Sequence, residues 1–253
     1  LRANIGTGFR APYGFSEDLH LCSGSPRVWK SSNLKGERAI SYNFSADYYG
    51  KWYQLSINLF RTNLKDKIQF SPADDEVKKF GYSYQWENVD DAYVQGVELG
   101  AKASLFRNFT AGLNWTFNKG KFKHERAEWS DPNDPSVQEF PQRLQYAKDS
   151  RYISRFPAMT GDIDLDYTPG TWSFSLTSSL QGKMYIDYNS DDDGKTSKIK
   201  KTNTFMIFNC RAAKRFGMCT VYAGAKNIFG YIQDEKHTDD AAFMYAPVYG
   251  ATW

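Results

Sequence analysis

Residues 189–194 read Asn-Ser-Asp-Asp-Asp-Gly, a run that places side-chain oxygens at alternate positions ahead of a glycine. A hard divalent cation such as Ca2+ is held by such oxygens, and the glycine lets the chain turn sharply around it. Asn189, Asp191 and Asp193 are the candidate ligands, and Ca2+ is the one cofactor these residues suggest. The bidentate glutamate that would complete a helix-loop-helix calcium site is replaced by Lys200. A loose calcium loop and a solvated Asp-rich turn both fit the run.

Glu17, Asp18 and His20 form a second polar group. Its carboxylates and imidazole suit contact with a ligand or a metal complex, and equally suit a solvated loop. His124 and His237 are the other histidines; neutral imidazole ligates metals and haem, but no spacing among the three supports a site. Trp129 and Tyr146 crowd one segment with Pro132, Pro135 and Phe140. Their rings offer surface to an organic ligand, or pack the segment on its neighbours. Lys195, Lys198, Lys200 and Lys201 suit lipid phosphates or an anionic ligand. Catalysis finds less support. Ser, His and Asp are scattered without a nucleophile-elbow motif, and the pairs Asp90-Asp91 and Asp239-Asp240 fall in loop-like sequence. The chain is read as a non-enzyme.

The elements that must position these residues alternate at period two, the signature of strands. Tyr53, Leu55, Ile57 and Leu59 oppose Gln54, Ser56 and Asn58; Phe109, Ala111, Leu113, Trp115 and Phe117 oppose Thr110, Gly112, Asn114 and Thr116. The pattern returns at 1–9, 42–48, 97–103, 163–167, 172–180, 206–212 and 219–225, and no stretch shows helical periodicity. Short turns at Tyr49-Gly50-Lys51, Phe106-Arg107-Asn108, Thr168-Pro169-Gly170 and Phe216-Gly217-Met218 alternate with polar segments at 12–37, 66–91, 119–157, 187–201 and 230–245. Short turns on one side and long loops on the other are the habit of a transmembrane β-barrel. About ten antiparallel strands are expected, the tenth near 245–253, so that both ends lie on the short-turn side. One face is apolar. The other carries Glu98, Lys102, Asn114, Asp162, Asp164 and Asp166 and, by the same parity, Arg10. Arg10, Glu98 and Lys102 are therefore expected to face a lumen, with an outer-rim position as the alternative for Arg10.

The chain has 253 residues, of which 41 % are apolar and 17 % aromatic. Its mean hydropathy is −0.64, and no run approaches the roughly 18 apolar residues of a membrane helix. Strands that show lipid only alternate residues keep average hydropathy low, and their aromatic rings favour the headgroup level. A net charge of +3 is too small to argue for nucleic acid. The cysteines Cys22, Cys210 and Cys219 make no disulfide framework. A hairpin at Gly217 sets Cys210 opposite a residue near Ala223, roughly 13 Å from Cys219 along the strands, too far for a bridge. Both are read as small apolar fillers.

At Gly6-Thr7-Gly8-Phe9-Arg10-Ala11-Pro12, followed by Glu17, the sequence resembles TonB-dependent outer-membrane receptors, and the continuation to His20 is similar to Bacteroides-type members. Leu34-Lys35-Gly36-Glu37-Arg38, Asn88-Val89 with Gly96-Val97-Glu98, and Lys226-Asn227-Ile228-Phe229 extend the resemblance in order along the chain. The resemblance implies a barrel of about 22 strands around a plug. Residues 1–253 would be one domain, the C-terminal half of that barrel, with the plug and the TonB-contacting region upstream. Tyr249–Trp253 resembles the beginning of a closing strand more than its end. The implied function is import of a scarce nutrient, such as a ferric siderophore, haem or cobalamin, across the outer membrane with TonB-supplied energy. The implied partners are TonB, a nutrient such as a metal chelate, and outer-membrane lipid. A passive porin or adhesin barrel, a soluble glycan-binding β-sandwich and, least favoured, an outer-membrane phospholipase are the other classes the sequence leaves open.

Overall fold

The computed structural model describes residues 1–12, 28–30, 33–189, 197–233 and 245–253. In chain order the strands are β1 (Arg2–Arg10), β2 (Val28–Lys30), β3 (Glu37–Tyr49), β4 (Tyr53–Lys65), β5 (Ile68–Pro72), β6 (Tyr84–Asn88) and β7 (Ala92–Phe106). They continue with β8 (Phe109–Phe122), β9 (Met159–Tyr167), β10 (Trp172–Gln181), β11 (Tyr185–Asn189), β12 (Ser197–Lys201), β13 (Phe205–Phe216) and β14 (Cys219–Ala225). Nine of these form one antiparallel sheet in the order β1-β3-β4-β7-β8-β9-β10-β13-β14. It is open, a wall with two edges.

Strand length separates this sheet from those of water-soluble domains, whose strands run to about 5–6 residues. β7 has 15 residues, which at about 3.3 Å each reach about 50 Å. That crosses a tilted path through a hydrocarbon core of about 30 Å with length to spare. The connections are sorted as expected. Turns 50–52, 107–108, 168–171 and 217–218 lie at one end; segments 66–91 and 123–158 and the described residues of 11–36 and 182–204 lie at the other. Asn108 and Gly217 close their two-residue turns with φ of 65° and 58°, the left-handed region such hairpins require.

The faces carry opposite chemistry. Ile40, Phe44, Ile57, Leu59, Leu99, Leu113 and Phe117 share one face by register and are all exposed, Ile57 at 40 % and Leu59 at 45 %. The best-buried side chains lie instead in and beside the long loops: Trp129 is 1 % exposed and Ile186 is 0 %. Here the packed core is in the loops, and the sheet's apolar face is open. At the short-turn end that face ends in stacked rings, Phe106 on Phe109 at 4.6 Å and Trp172 on Phe174 at 5.7 Å.

Above the sheet, β5 and β6 form a hairpin that β2 joins in parallel, and β11 pairs with β12. Three expectations change here. The long loops are not purely irregular or β. They hold α1 (Asp75–Lys78), α2 (Ala127–Ser130), α3 (Pro135–Glu139) and a 3-10 stretch at Pro141–Asp149. Helices of four or five residues are too short to show periodicity. Local caps set two of them: the Asp74 carboxylate accepts from Val77 N at 2.9 Å, and the Asp134 carboxylate accepts from Ser136 N at 2.8 Å with Pro135 following. The tenth strand at 245–253 is reduced to one bridge, Lys226 to Thr252. Pro247 lacks the N–H a ladder needs, and Tyr245 packs against Phe205 and Met184 instead. Finally, Cys210 faces Ala225, two positions beyond Ala223, because the tight turn closes on Phe216 opposite Cys219. Both cysteines are free and exposed on the apolar face, so they fill no core.

Candidate functional site

The polar face is a set of side-chain rungs dictated by register. Arg2 pairs with Asp47 at 2.6 Å, Asn58 donates to Glu98 at 2.9 Å, Asn114 donates to Asp162 at 2.8 Å, and the Ser175 hydroxyl donates to Asp166 at 2.7 Å. Glu98 faces Asn58 and Thr116, and Lys102 faces Gln54 and Gly112, so both lie on this face. Small residues keep it open. A Cβ on Gly96 would stand 2.2 Å from the Phe117 carbonyl and 2.7 Å from the Phe60 ring lying across it. A groove of about 580 Å3 runs along the rungs from Arg2 to Asn114.

Arg10 ends β1 on the same parity, opposite Glu37, with its guanidinium 5.9 Å from the Trp86 ring of β6. It therefore stands where the polar face meets the loop structure, at the loop-side rim rather than midway down the wall. Glu37 accepts from Ile68 N at 3.0 Å. Beside them burial pushes the Lys67 ammonium down; Glu37 opposes that shift and Arg10 adds to it.

Two asparagines bracket the loops. The Asn88 side chain accepts from Lys35 N at 2.7 Å and donates to the carbonyls of Lys35 and Asp66 at 3.0 and 2.7 Å. Asn227, 6 % exposed with φ 51°, accepts from Tyr231 N at 2.9 Å and donates to the carbonyls of Tyr231 and Tyr249 at 2.7 and 3.2 Å. Both sit in short motifs visible in the sequence, but what they do there depends on loops distant along the chain.

The segment 123–158 is organised by a buried ionic and aromatic cluster. Arg126 pairs with Glu128 and Asp187, each at 3.3 Å, and lies 4.6 Å from the Tyr152 ring, whose hydroxyl donates to Asp187. Arg143 stacks on Trp129 at 4.4 Å, donates to Ser197 Oγ at 3.0 Å and to the Glu128 carbonyl at 3.0 Å. Burial pushes the Glu128 carboxyl up and the Arg143 guanidinium down, and their partners only partly offset this. The cluster ties the loop to the β11–β12 hairpin.

Of the expected ligand contacts, Trp129 is packed under Tyr152 and Ile199 and leaves no ring surface for a ligand. Its role is packing. Tyr146 meets Trp129 edge-on at 6.1 Å and stays half-buried. His124 is held by Asp90, whose carboxylate accepts from the His124 backbone N–H at 2.6 Å and contacts its ring at 3.0 Å. Burial raises the Asp90 carboxyl, but these contacts outweigh it and hold the group below its usual range. Glu17, Asp18, His20, Asp191, Asp193, His237, Cys22 and Lys195 lie outside the described residues, as do Ser190, Asp192, Asp239 and Asp240. The backbone of Asn189 pairs with Ser197. Among the described residues no three His, Cys, Asp or Glu side chains converge on a metal position.

The family model described as TonB dependent receptor-like, beta-barrel matches residues 1–228. The vitamin B12 transporter BtuB of Vibrio vulnificus is 30 % identical over 139 residues, covering 54 % of this chain and 18 % of that protein. Its Photobacterium profundum counterpart is 26 % identical over 200 residues, covering 78 % of this chain and 26 % of that protein. Among solved structures, the ferric enterobactin receptor of Pseudomonas aeruginosa in complex with enterobactin superposes with a TM-score of 0.62 at 19 % identity, over 93 % of this chain and 34 % of that one. The copper transporter OprC gives 0.61 at 21 % identity, over 92 % and 32 %. The chain thus spans about a quarter or less of these curated relatives and about a third of the solved chains.

Proposed function

The chain belongs to the TonB-dependent receptor β-barrel family, and on that premise we propose that it forms part of the wall of an outer-membrane receptor that imports a scarce nutrient. The observation that carries this reading is the inverted polarity of the long-stranded sheet, apolar and exposed on one face and hydrogen-bonded and polar on the other. In water such a face would collapse against another layer; in a bilayer it is already solvated by lipid, and every backbone group is satisfied once the two edges find strands. Residues 1–253 are then one domain, the C-terminal half of a closed barrel, with a plug and a TonB-contacting region supplied from outside this segment.

The polar face becomes the lumen, lined by Glu98 and Lys102, with Arg10 at its outer mouth. Ligand capture belongs to the long loops. Glu17, Asp18 and His20 in segment 11–36 and Tyr146 in segment 123–158 are the proposed contacts, and Asn189, Asp191 and Asp193 are candidate Ca2+ ligands. The relatives' names point to cobalamin, ferric siderophores or a metal as cargo. Movement of the plug, driven through TonB, would admit the cargo, and no bond is made or broken by the wall.

The test is fractionation of the full-length protein in its native cell, followed by uptake of labelled cobalamin and ferric chelates with and without the gene. Detergent-dependent solubility and loss of one uptake activity are expected. A protein that stays soluble without detergent would return the glycan-binding sandwich to first place. Uptake that persists when TonB is disabled would favour a passive pore.

A further inference from the structure

Register lays one rung of the polar face across five strands: Asn4, Asn43, Phe60, Gly96 and Asn118. Phe60 is the odd member, a phenyl ring among carboxamides. Gly96 makes room for it. The ring lies across β7, where a Cβ on that residue would stand 2.7 Å away, and it stays half-buried, so part of it is open on the polar side. Asn43 and Asn118 flank the ring three strand spacings apart, about 14 Å. The next rung toward the short turns is Arg2, Ser45, Asn58, Glu98 and Thr116.

The groove of about 580 Å3 is lined from both rungs, by Asn4 and Asn43 of the first and by every member of the second. That volume falls within the range of about 300–1,000 Å3 typical of small-molecule sites. Phe60 and Asn118 continue the first rung past the groove's loop-side border, with Phe60 directly beside Asn43. Among the described residues the side chains of Asn4, Asn43, Ser45, Thr116 and Asn118 have no hydrogen-bond partner. A carboxamide holds an acceptor next to a two-proton donor, and a hydroxyl plays both roles; all of this capacity is left to water or to a ligand. Charge is scarce. Arg2 and Asp47 neutralise each other at 2.6 Å, which leaves Glu98 as the one uncompensated charge lining the groove.

We propose that these two rungs form a transit site on the wall for an uncharged, hydroxyl-bearing ring of the pyranose kind. The inference rests on the reading of the polar face as the lumen. Adjacent hydroxyls of such a ring present donor and acceptor side by side, which is the pattern that Asn43 and Asn118 can answer from either side of Phe60. The ring's C–H groups carry slight positive charge and pack on the electron-rich face of a phenyl ring. A polyanion gains nothing from the same groove, because Glu98 repels it and Arg2 is already paired. The contact is made in passing, so it is weak and exchanges fast.

The test uses the full-length receptor in a sugar-free detergent with maltotriose as probe, read by saturation-transfer NMR. Phe60→Ala is expected to weaken binding roughly fivefold to tenfold, the loss of one aromatic contact, and Phe60→Tyr to restore it. Asn43→Ala should weaken it roughly threefold to tenfold, the loss of one hydrogen bond. Leu59→Ala, the neighbouring position on the opposite face, should keep wild-type binding. Two readings need no variant to fold. Sorbitol, which has the hydroxyls without the ring, should bind the wild type more weakly, and maltotriose binding should persist toward about 1 M salt, where screening contracts to about 3 Å. Absence of binding by the wild type would assign the groove to the plug and overturn the proposal. Equal binding by Phe60→Ala, equal binding of sorbitol, or release by salt would overturn it too. A protein that is monodisperse without detergent would instead overturn the membrane reading itself.

Discussion

Adjacent residues of β4 allow the orientation of the wall to be tested within a single strand. Ile57 faces Ala46 and Leu99 on the apolar side, Asn58 faces Ser45 and Glu98 on the polar side, and Tyr53 ends the apolar row at the short-turn girdle. Ile57 lies four positions from Tyr53, about 13 Å along the strand, too deep for an arginine to bring its charge to water without distorting the bilayer. Arginine near the midplane of a barrel's lipid face costs about 2–4 kcal/mol, and near the interface about 0–1 kcal/mol. Ile57→Arg is therefore expected to cost about 3 kcal/mol and Tyr53→Arg less than about 1 kcal/mol. Asn58→Arg gives up a donor to Glu98 but places a cation beside that carboxylate, so its cost should stay within about 0.5 kcal/mol. The assay is urea unfolding of the full-length protein refolded into vesicles, followed by tryptophan fluorescence and by the gel shift of folded barrels. A sandwich core would penalise arginine by burial and not by depth, so equal costs at Tyr53 and Ile57 would refute the reasoning. A larger cost at Asn58 than at Ile57 would mean that the faces are reversed.

The loops yield further predictions. Asp90 is held below its usual range, so the stabilisation it gives segment 123–158 is present above the ordinary aspartate pKa and is lost as pH falls through the depressed folded value. Asp90→Asn should remove that acid-side dependence in amide exchange of residues around His124. Glu128 is shifted the other way by burial, so its favourable contribution is present below the ordinary glutamate range and is lost as pH rises through the raised folded value. Glu128→Gln should leave the loop at least as protected at neutral pH and flatten its exchange profile there. Asn227→Ala strands the Tyr231 N–H and two carbonyls in a buried site; a cost of about 1–3 kcal/mol is expected, read as faster exchange at 226–233 with the wall strands unaffected.

The wall was legible in the sequence because its physics is local. Alternation along β4 or β8 needs no knowledge of neighbours, and once two-residue turns are recognised parity alone puts Glu98, Asn114 and Asp162 on one face. The loops were not legible, because their residues are used by distant partners. Trp129 reads equally well as ligand platform or packing until Ile199 and Tyr152 are placed around it. Arg143 gives no sign in sequence that it will stack on Trp129 and reach Ser197. The charges of the outer rim were present in the alternation as well, at Arg38, Arg61 and Lys65, yet they read as breaks in the apolar pattern until register set them side by side.

The placement of the core has a consequence for how such a protein changes its ligand. In a water-soluble domain, loops are the least stable parts because the core lies elsewhere. Here the wall is held by backbone ladders with lipid as its apolar solvent, while the loops contain Trp129, Tyr152, Ile186 and Met184, among the best-buried side chains of the described chain. Segment 123–158 and the β11–β12 hairpin thus carry their own packing and their own ion pairs, and the segment is joined to the wall by a few bonds, such as Arg151 donating to the Phe122 carbonyl and Asn118 N donating to the Ala158 carbonyl. A loop assembly that stabilises itself can alter its outer residues without disturbing strand register, and a wall that depends only on alternation can keep one architecture under many such assemblies. The division of the chain into wall and loops is in this sense also a division of evolutionary freedom. On the proposed reading, ligand choice rests with loop side chains whose removal leaves the barrel standing, and passage rests with the rungs around Glu98 and Asp162, which any loop assembly must share.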